Sequence, residues 1–263
     1  ITVLWDSQIV SIVSHVVGEF AITAKVTVLR SAAAFWLTTV YGPADEARKD
    51  DFLRELARSA PPSSKPWLLI GDFNVIYDAR DKNNFNLNRR TMGRFRAVID
   101  SACLREIKCK NRRFTWSNEW LNPTLVSIDK FFYNVNWELL FAAYGLMASA
   151  TACSDHCPMI LAPCDAPKRP ARLRFESFWP KFPHFQATVE RAWNRLVQQR
   201  CAFSRLQTKL THTARDLKTW SNSLFSDAKL QFHIASEVIL RLEVAQEART
   251  LSLQNLHCAD CSR

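Results

Sequence analysis

Between positions 20 and 28 the chain alternates, with Phe20, Ile22, Ala24, Val26 and Val28 on one face and Thr23, Lys25 and Thr27 on the other. A period of two belongs to a strand with one face in a core. Residues 35–41 (FWLTTVY) read as a second, more buried strand, ended by the turn pair Gly42 and Pro43. The period then lengthens. Across residues 45–60, Phe52, Leu53, Leu56 and Ala57 recur at helical spacing, with Asp45 and Glu46 early and Arg54 and Arg58 late, as the helix dipole favours. Pro61, Pro62, Ser63 and Ser64 break that helix, and residues 67–70 form a short apolar run stopped by Gly71. Helix, proline turn and buried strand make an α/β alternation.

A polar stretch over residues 78–90 leads into a second amphipathic helix marked by Met92, Phe95, Val98, Ile99 and Ala102. Short strands are expected at 113–116, 127–133 and 159–162, several of them near enough in sequence to pair antiparallel. Pro163, Pro167 and Pro170, set among Lys168, Arg169, Arg172 and Arg174, read as a linker over residues 166–182. After Pro183 there is no further proline. Leu206, Leu210, Thr213, Leu217, Trp220 and Leu224 follow a 4-3-4-3-4 spacing, continued by Ile234, Val238, Leu242 and Ala245. The spacing predicts a helical region over 183–263, in two or three antiparallel segments.

Composition narrows the class. The 263 residues are 48% hydrophobic and 11% aromatic with only 5 glycines, so a packed core is expected and disorder is excluded as the main state. Lys and Arg number 35 against 25 Asp and Glu, a net charge of +10. Residues 1–164 hold 19 basic and 16 acidic side chains and residues 165–263 hold 16 and 9, so the excess leans on the tail. Such a balance suits a polyanionic partner, DNA above all, and equally suits an ordinary soluble surface. Eight cysteines without a secretory leader point to free thiols in an intracellular, reducing compartment. No apolar run approaches the ~18 residues that a membrane span requires.

Two short motifs carry candidate chemistry. Gly71, Asp72, Phe73 and Asn74 close the apolar run, where a glycine lets a strand stop sharply and the Asp and Asn, two apart, point to one side. A carboxylate beside an amide there can take a proton from water and hold the attacking oxygen. The same four residues also suit an ordinary turn. Ser154, Asp155 and His156 precede the apolar run at 159–161; a carboxylate beside an imidazole can bind a hard cation or stabilise a phosphoryl oxygen, and a cap or turn explains the triplet as well. Consecutive Ser, Asp and His cannot line up as a hydrolase relay.

With Tyr41, Gly42 and Pro43 closing an earlier strand and Ser127, Ile128 and Asp129 in a later one, the order is YGP, GDFN, TWSN (115–118), SID and SDH. That ordered set resembles the endonuclease/exonuclease/phosphatase family, in detail the endonuclease domain of plant non-LTR (LINE-type) retrotransposon polyproteins, over about residues 1–180. The tail resembles the helical spacer of such polyproteins. The resemblance implies an α+β fold, a partial four-layer α/β/β/α sandwich over residues 1–165 followed by the α-helical tail. It implies Mg²⁺-dependent hydrolysis of a DNA phosphodiester, with the nucleus as the place of action. By similarity, Asp72 is the base that activates water, Asn74 orients it, Tyr41 contacts the phosphate and His156 stabilises its growing charge. Asp129 orients His156 and Asp155 helps hold metal. Asn118, with the basic run Lys108, Lys110, Arg112 and Arg113, is a candidate contact to nucleic acid; a solvated loop is the plainer reading of that run.

The family's first motifs, an Asn and a metal-holding Glu, belong upstream of Ile1. Neither Glu19, on the alternating strand, nor Asp6, in a polar turn, has the context to replace them. The family usually carries Arg on both sides of the SID aspartate, where this chain has Ser127 and Lys130. The expectation is therefore an N-terminally truncated domain of impaired catalysis with an exposed sheet edge, or else a remnant that binds nucleic acid without cutting it, or a helical interaction module. His257, Cys258 and Cys261 make half a zinc site at most, and Cys153 and Cys157 bracket the SDH triplet; incidental thiols account for both. Trp116, Trp120, Trp137, Trp179 and Trp193 suit base stacking where exposed and core packing where buried.

Overall fold

A computed structural model describes residues 1–120, 122–141, 143–150, 154–164, 175, 177–199 and 201–248, with backbone alone for 225–230, 233 and 248. The expected linker residues Pro167, Lys168, Arg169, Pro170, Arg172 and Arg174, and Cys153, His257, Cys258 and Cys261, lie outside the described residues. The chain divides into two units, Ile1–Ala166 with Val238–Arg263, and Pro167–Glu237.

The strands of the first unit are β1 (Val10–Val17), β2 (Ala21–Val28), β3 (Ala33–Tyr41), β4 (Trp67–Asp72), β5 (Arg105–Glu106), β6 (Trp116–Ser117), β7 (Leu125–Val126), β8 (Asp129–Tyr133), β9 (Tyr144–Ala148) and β10 (Met159–Pro163). Its helices are α1 (Lys49–Arg58), α2 (Arg89–Ser101) and the short α3 (Val135–Leu140). Six strands form one sheet in the order β1-β2-β3-β4-β8-β5, while β9 with β10 and β6 with β7 form two-stranded pieces. Only β3 and β4 pair in parallel, because α1 supplies the crossover between them; the other neighbours are antiparallel. The fold is mixed α+β.

The core gathers where α1 and α2 cover the sheet. Phe52 and Leu56 of α1, Phe95 and Ile99 of α2, Leu69 of β4 and Phe132 of β8 are buried around Phe73. The Phe73 ring lies 5.1 Å from Phe95 and 5.4 Å from Phe132, centroid to centroid, the latter edge to face. Rings at such spacings add roughly 0.5–1.5 kcal/mol per pair beyond the burial itself. Phe73 thereby anchors the two polar residues that flank it.

Several expectations are corrected. The first helix is preceded by a 3-10 turn, Glu46–Arg48, whose entry Asp45 caps through the Ala47 N–H, and Ala57 is exposed. The strand expected at 113–116 is reduced to Trp116–Ser117, and the run 127–133 becomes strand only at Asp129, because the Ser127 N–H is drawn to the Asp81 carbonyl at 2.7 Å. Glu19 sits in the bend before β2, paired with Arg48, whereas Asp6 does hold a turn through its carbonyl and carboxylate. β1 is the sheet's edge, and Val13, Val16 and Val17 are exposed on it.

Among the described residues the helical region has two helices, α4 (Phe185–Trp193) and α5 (Ala202–Ala248) of 47 residues, so the two hydrophobic stretches expected as separate segments lie in one helix. No proline or glycine interrupts residues 184–263, and nothing breaks the backbone ladder. Within the second unit, Trp220 of α5 packs on Phe185 of α4 at 5.6 Å and on Trp179 at 5.7 Å.

Candidate active site

Three neighbouring strands deliver three of the expected residues side by side. Tyr41 ends β3 in register with Asp72 at the end of β4, and Asp72 is in register with Asp129 at the start of β8. Two glycines make this possible. A Cβ on Gly71 would stand 2.1 Å from the Val40 carbonyl oxygen, and its φ of +139° is one that side chains disfavour. A Cβ on Gly42 would meet the Phe73 carbonyl oxygen at 2.1 Å, so only glycine lets these strand ends close up.

Asp72 and Asn74 share one side because Phe73 between them turns into the core. The Asn74 N–H donates to Asp72 Oδ1 at 2.8 Å and its side-chain amide to Oδ2 at 3.1 Å. The turn reading and the site reading of GDFN are thus the same structure: an Asx turn that fixes a carboxylate. Asn74 itself has a left-handed backbone, φ +48°. Its side chain also donates to the Gly42 carbonyl at 2.9 Å, which spends both amide hydrogens. What Asn74 has left for water is its Oδ1, an acceptor.

His156 enters from the loop before β10. Its N–H donates to the Ser154 hydroxyl, and it forms a bridge with Trp116 of β6. Nδ1 donates to Asp129 Oδ2 at 2.9 Å, which turns Nε2 toward Asp72 Oδ2 at 3.9 Å. Asp129 is held in turn by Thr115, whose hydroxyl accepts the N–H groups of Ile128 and Asp129, each at 3.1 Å. Asp155 is exposed and accepts from the Trp116 indole at 2.8 Å.

The electrostatics separate the two central groups. Burial, helped by the neighbouring Asp129, raises the Asp72 carboxyl to about 6 against the opposing pull of the Asn74 N–H, His156 and Lys49. His156 is raised above its ordinary 6.5, chiefly by the hydrogen bond it donates to Asp129, with burial opposing. A carboxyl whose pKa is raised beside an imidazole whose pKa is also raised is a pairing suited to proton transfer and charge stabilisation.

Lys49 completes the site and was not foreseen. It is 5% exposed, its Nζ donates to the Asn74 carbonyl at 2.5 Å, and burial lowers its pKa. The signal was present: Lys49, Phe52, Leu53 and Leu56 occupy i, i+3, i+4 and i+7, the buried stripe of α1. Thr115 was read only as part of a motif.

The remaining candidates are more scattered. Tyr41 is 59% exposed. Asn118 caps the β6–β7 turn, its Oδ1 accepting the Thr124 N–H at 2.9 Å. Lys108 is exposed and paired with Glu106, and Lys110 approaches Cys164 Sγ at 3.4 Å. Arg113 donates to the Arg80 carbonyl, and Arg112 is buried in ion pairs with Glu243 and Glu247. Lys130, beside the SID aspartate, is 1% exposed and bound between Asp81 at 2.8 Å and Glu106 at 2.9 Å, on the side of β8 away from Asp129. Trp137 and Trp179 are buried, Trp120 is exposed, and Cys103, Cys109, Cys157, Cys164 and Cys201 are free thiols.

Among the described residues no three His, Cys, Asp or Glu side chains converge as a metal cage. Both oxygens of Asp72 already accept from Asn74, and Asp129 Oδ2 is committed to His156. These residues do not by themselves fit a resident Mg²⁺ ion, and no chemical step is derived through one. No described helix is long and apolar enough to cross a membrane.

A sheet-end carboxylate fixed by an Asx turn thus stands opposite an Asp–His pair. The chain belongs to the endonuclease/exonuclease/phosphatase family, whose model matches residues 3–156. Among solved structures it is similar to the endonuclease domain of TRAS1, a telomere-specific non-LTR retrotransposon, at 12% identity over 61% of this chain and 71% of that one, TM-score 0.49. It is similar to an AP endonuclease from Archaeoglobus fulgidus at 15% identity over 55% and 65%, TM-score 0.41. The human Nocturnin catalytic domain matches at 13% identity over 59% and 62%, TM-score 0.37. The chain therefore spans less than two thirds of the length of the last two. No curated protein matches it in sequence.

Proposed function

We propose that this chain is a DNA-directed phosphodiesterase domain of the non-LTR retrotransposon type that retains the proton-transfer and charge-stabilising half of its active site. The observation that carries the reading is the line Asp129–His156–Asp72, at 2.9 and 3.9 Å, beside Tyr41 at the ends of three strands in register. The order YGP, GDFN, TWSN, SID and SDH supports the retrotransposon type.

In this reading Asp72 takes a proton from the attacking water, which its raised pKa favours. Asn74 Oδ1 accepts the water's other hydrogen. His156, whose pKa Asp129 raises, donates through Nε2 to the phosphoryl oxygen on which charge grows as the water oxygen bonds to phosphorus and the P–O bond to the leaving strand breaks. Tyr41, exposed beside Asp72, contacts the phosphate, and Asn118, Lys108, Lys110 and Arg113 follow the backbone around it. A divalent cation such as Mg²⁺ would add charge neutralisation at the scissile phosphate, but one oxygen each of Asp155 and Asp129 is what these residues leave for it, too few to hold it by themselves. With so few donors, cleavage by the chain alone is slow.

Nicking of supercoiled plasmid with Mg²⁺ tests the reading. Slow nicking that Asp72→Asn and His156→Ala each abolish supports it. DNA binding with no nicking at any Mg²⁺ concentration overturns it in favour of a binding domain, the second reading, which the described residues favour in that no three metal-ligating side chains converge among them.

A further inference from the structure

In the basic run from Lys108 to Arg113, Lys108, Lys110 and Arg113 are exposed, whereas the Arg112 side chain is covered. The run from Lys108 to Arg113 borders a 440 Å³ cavity whose lining also includes Arg80, Lys130 and Asp129. One rim of that cavity is closed by Glu247 of α5. The Glu247 carboxylate accepts the Arg113 N–H at 3.2 Å and the Phe114 N–H at 3.1 Å, while Glu243, one turn earlier, accepts from Arg112 Nη1 at 2.5 Å. The Arg112 side chain is 7% exposed. Its Nε–H is buried without a hydrogen-bond partner, 3.7 Å from Glu247 Oε1.

Two adjacent backbone N–H groups and a buried guanidinium converging on one carboxylate make a built oxyanion site. A carboxylate fills it imperfectly. It has two oxygens, both taken up by the N–H groups of Arg113 and Phe114, and leaves the Arg112 Nε–H unmet. A phosphate group offers additional oxygens around a tetrahedron and would satisfy that hydrogen as well.

We infer that Arg112 with the N–H groups of Arg113 and Phe114 forms a phosphate-binding site that Glu243 and Glu247 of α5 occupy in cis, so that this end of the helix competes with a phosphate group for it. The source of the phosphate is the nucleic-acid backbone; that part rests on the function proposed above. The cavity that joins this site to Asp129 makes it an outlying contact for a strand lying across the active site. Docked, α5 withholds the contact, and displacing its two carboxylates makes it available.

The test uses the full chain and its Glu243→Gln/Glu247→Gln variant, with Glu247→Gln alone as a milder second variant. Melting is followed in sodium phosphate and in sodium chloride at equal ionic strength, and binding of a fluorescein-labelled duplex is followed by anisotropy. Inorganic phosphate should raise the melting temperature of the variants and not that of the unmodified chain, and adding Arg112→Met should remove the effect. The duplex should bind the double variant about tenfold more tightly, the scale of one charge-assisted hydrogen bond regained. Phosphate stabilisation without a gain in DNA affinity upholds the anion site and overturns DNA as its occupant. Equal phosphate response in all chains, or a response indifferent to Arg112→Met, overturns the inference whatever the DNA affinities are.

Discussion

Replacing Asp72 by Asn should make the protein more stable while removing its base. In the folded chain the Asp72 carboxyl is 10% exposed and its pKa stands at about 6 against an ordinary 3.8. Each unit is worth about 1.36 kcal/mol, so ionising this group in the fold costs roughly 3 kcal/mol above pH 6. Asn carries no charge and keeps an oxygen for the Asn74 N–H. Its NH₂ would face the Asn74 amide instead of accepting from it, and one hydrogen bond of about 1 kcal/mol is lost. The net gain is about 2 kcal/mol, or ~4–8 °C in melting temperature for a chain of this size. The sign follows from the direction of the shift. A carboxyl raised in the folded state favours folding most below the unfolded value of 3.8, and that contribution is lost as pH rises through about 6. The advantage of the Asn variant should therefore be full at pH 8, partial near pH 5 and gone at pH 4. Circular dichroism melts at those three values measure it. An Asn variant no more stable than the parent at pH 8, or an advantage independent of pH, would refute burial as the cause of the raised pKa.

Asp129→Asn removes the main group that raises His156, so the imidazole pKa, followed by NMR of its ring protons, should fall toward or below 6.5. Gly42→Ala puts a methyl 2.1 Å from the Phe73 carbonyl, with backbone on the other side, and should cost at least ~1–3 kcal/mol in denaturant melts, the scale of overpacking. Stripping metal with EDTA should leave the melting temperature unchanged, since the described residues form no metal cage whose loss would unfold the domain.

The parts of this site that were legible in sequence are those where one residue type does two jobs at adjacent positions. GDFN is the clearest. Its glycine is demanded by a carbonyl 2.1 Å away, its phenylalanine by the core, and its Asp and Asn by the turn they make together. Local spacing carries all of that. What spacing does not carry is which distant segments meet. Nothing in the run from Lys108 to Arg113 reveals that two glutamates more than 130 positions later cover it, and nothing beside Lys130 in sequence reveals its pairing with Asp81 and Glu106. β1 escaped notice for a different reason: its register shifts between Ile12 and Ser14, which breaks the alternation that marks a strand. α3 is only 6 residues long, too short for a helical period, although Asn134 caps it by accepting the Trp137 N–H. α5 was divided in the reading because its apolar pattern shifts after Leu224, whereas the backbone has no breaker to end it.

The central claim is that Asp72 and His156 act as a base and a charged stabiliser held in opposite protonation states, and the pH dependence of plasmid nicking with Mg²⁺ tests it most directly. The account predicts a bell-shaped profile. Its acid limb should rise near pH 6 as Asp72 ionises, and its alkaline limb should fall above 6.5 as His156 loses its proton, moving to lower pH in Asp129→Asn. A nicking rate that is flat with pH, or that persists unchanged in Asp72→Asn, would contradict it.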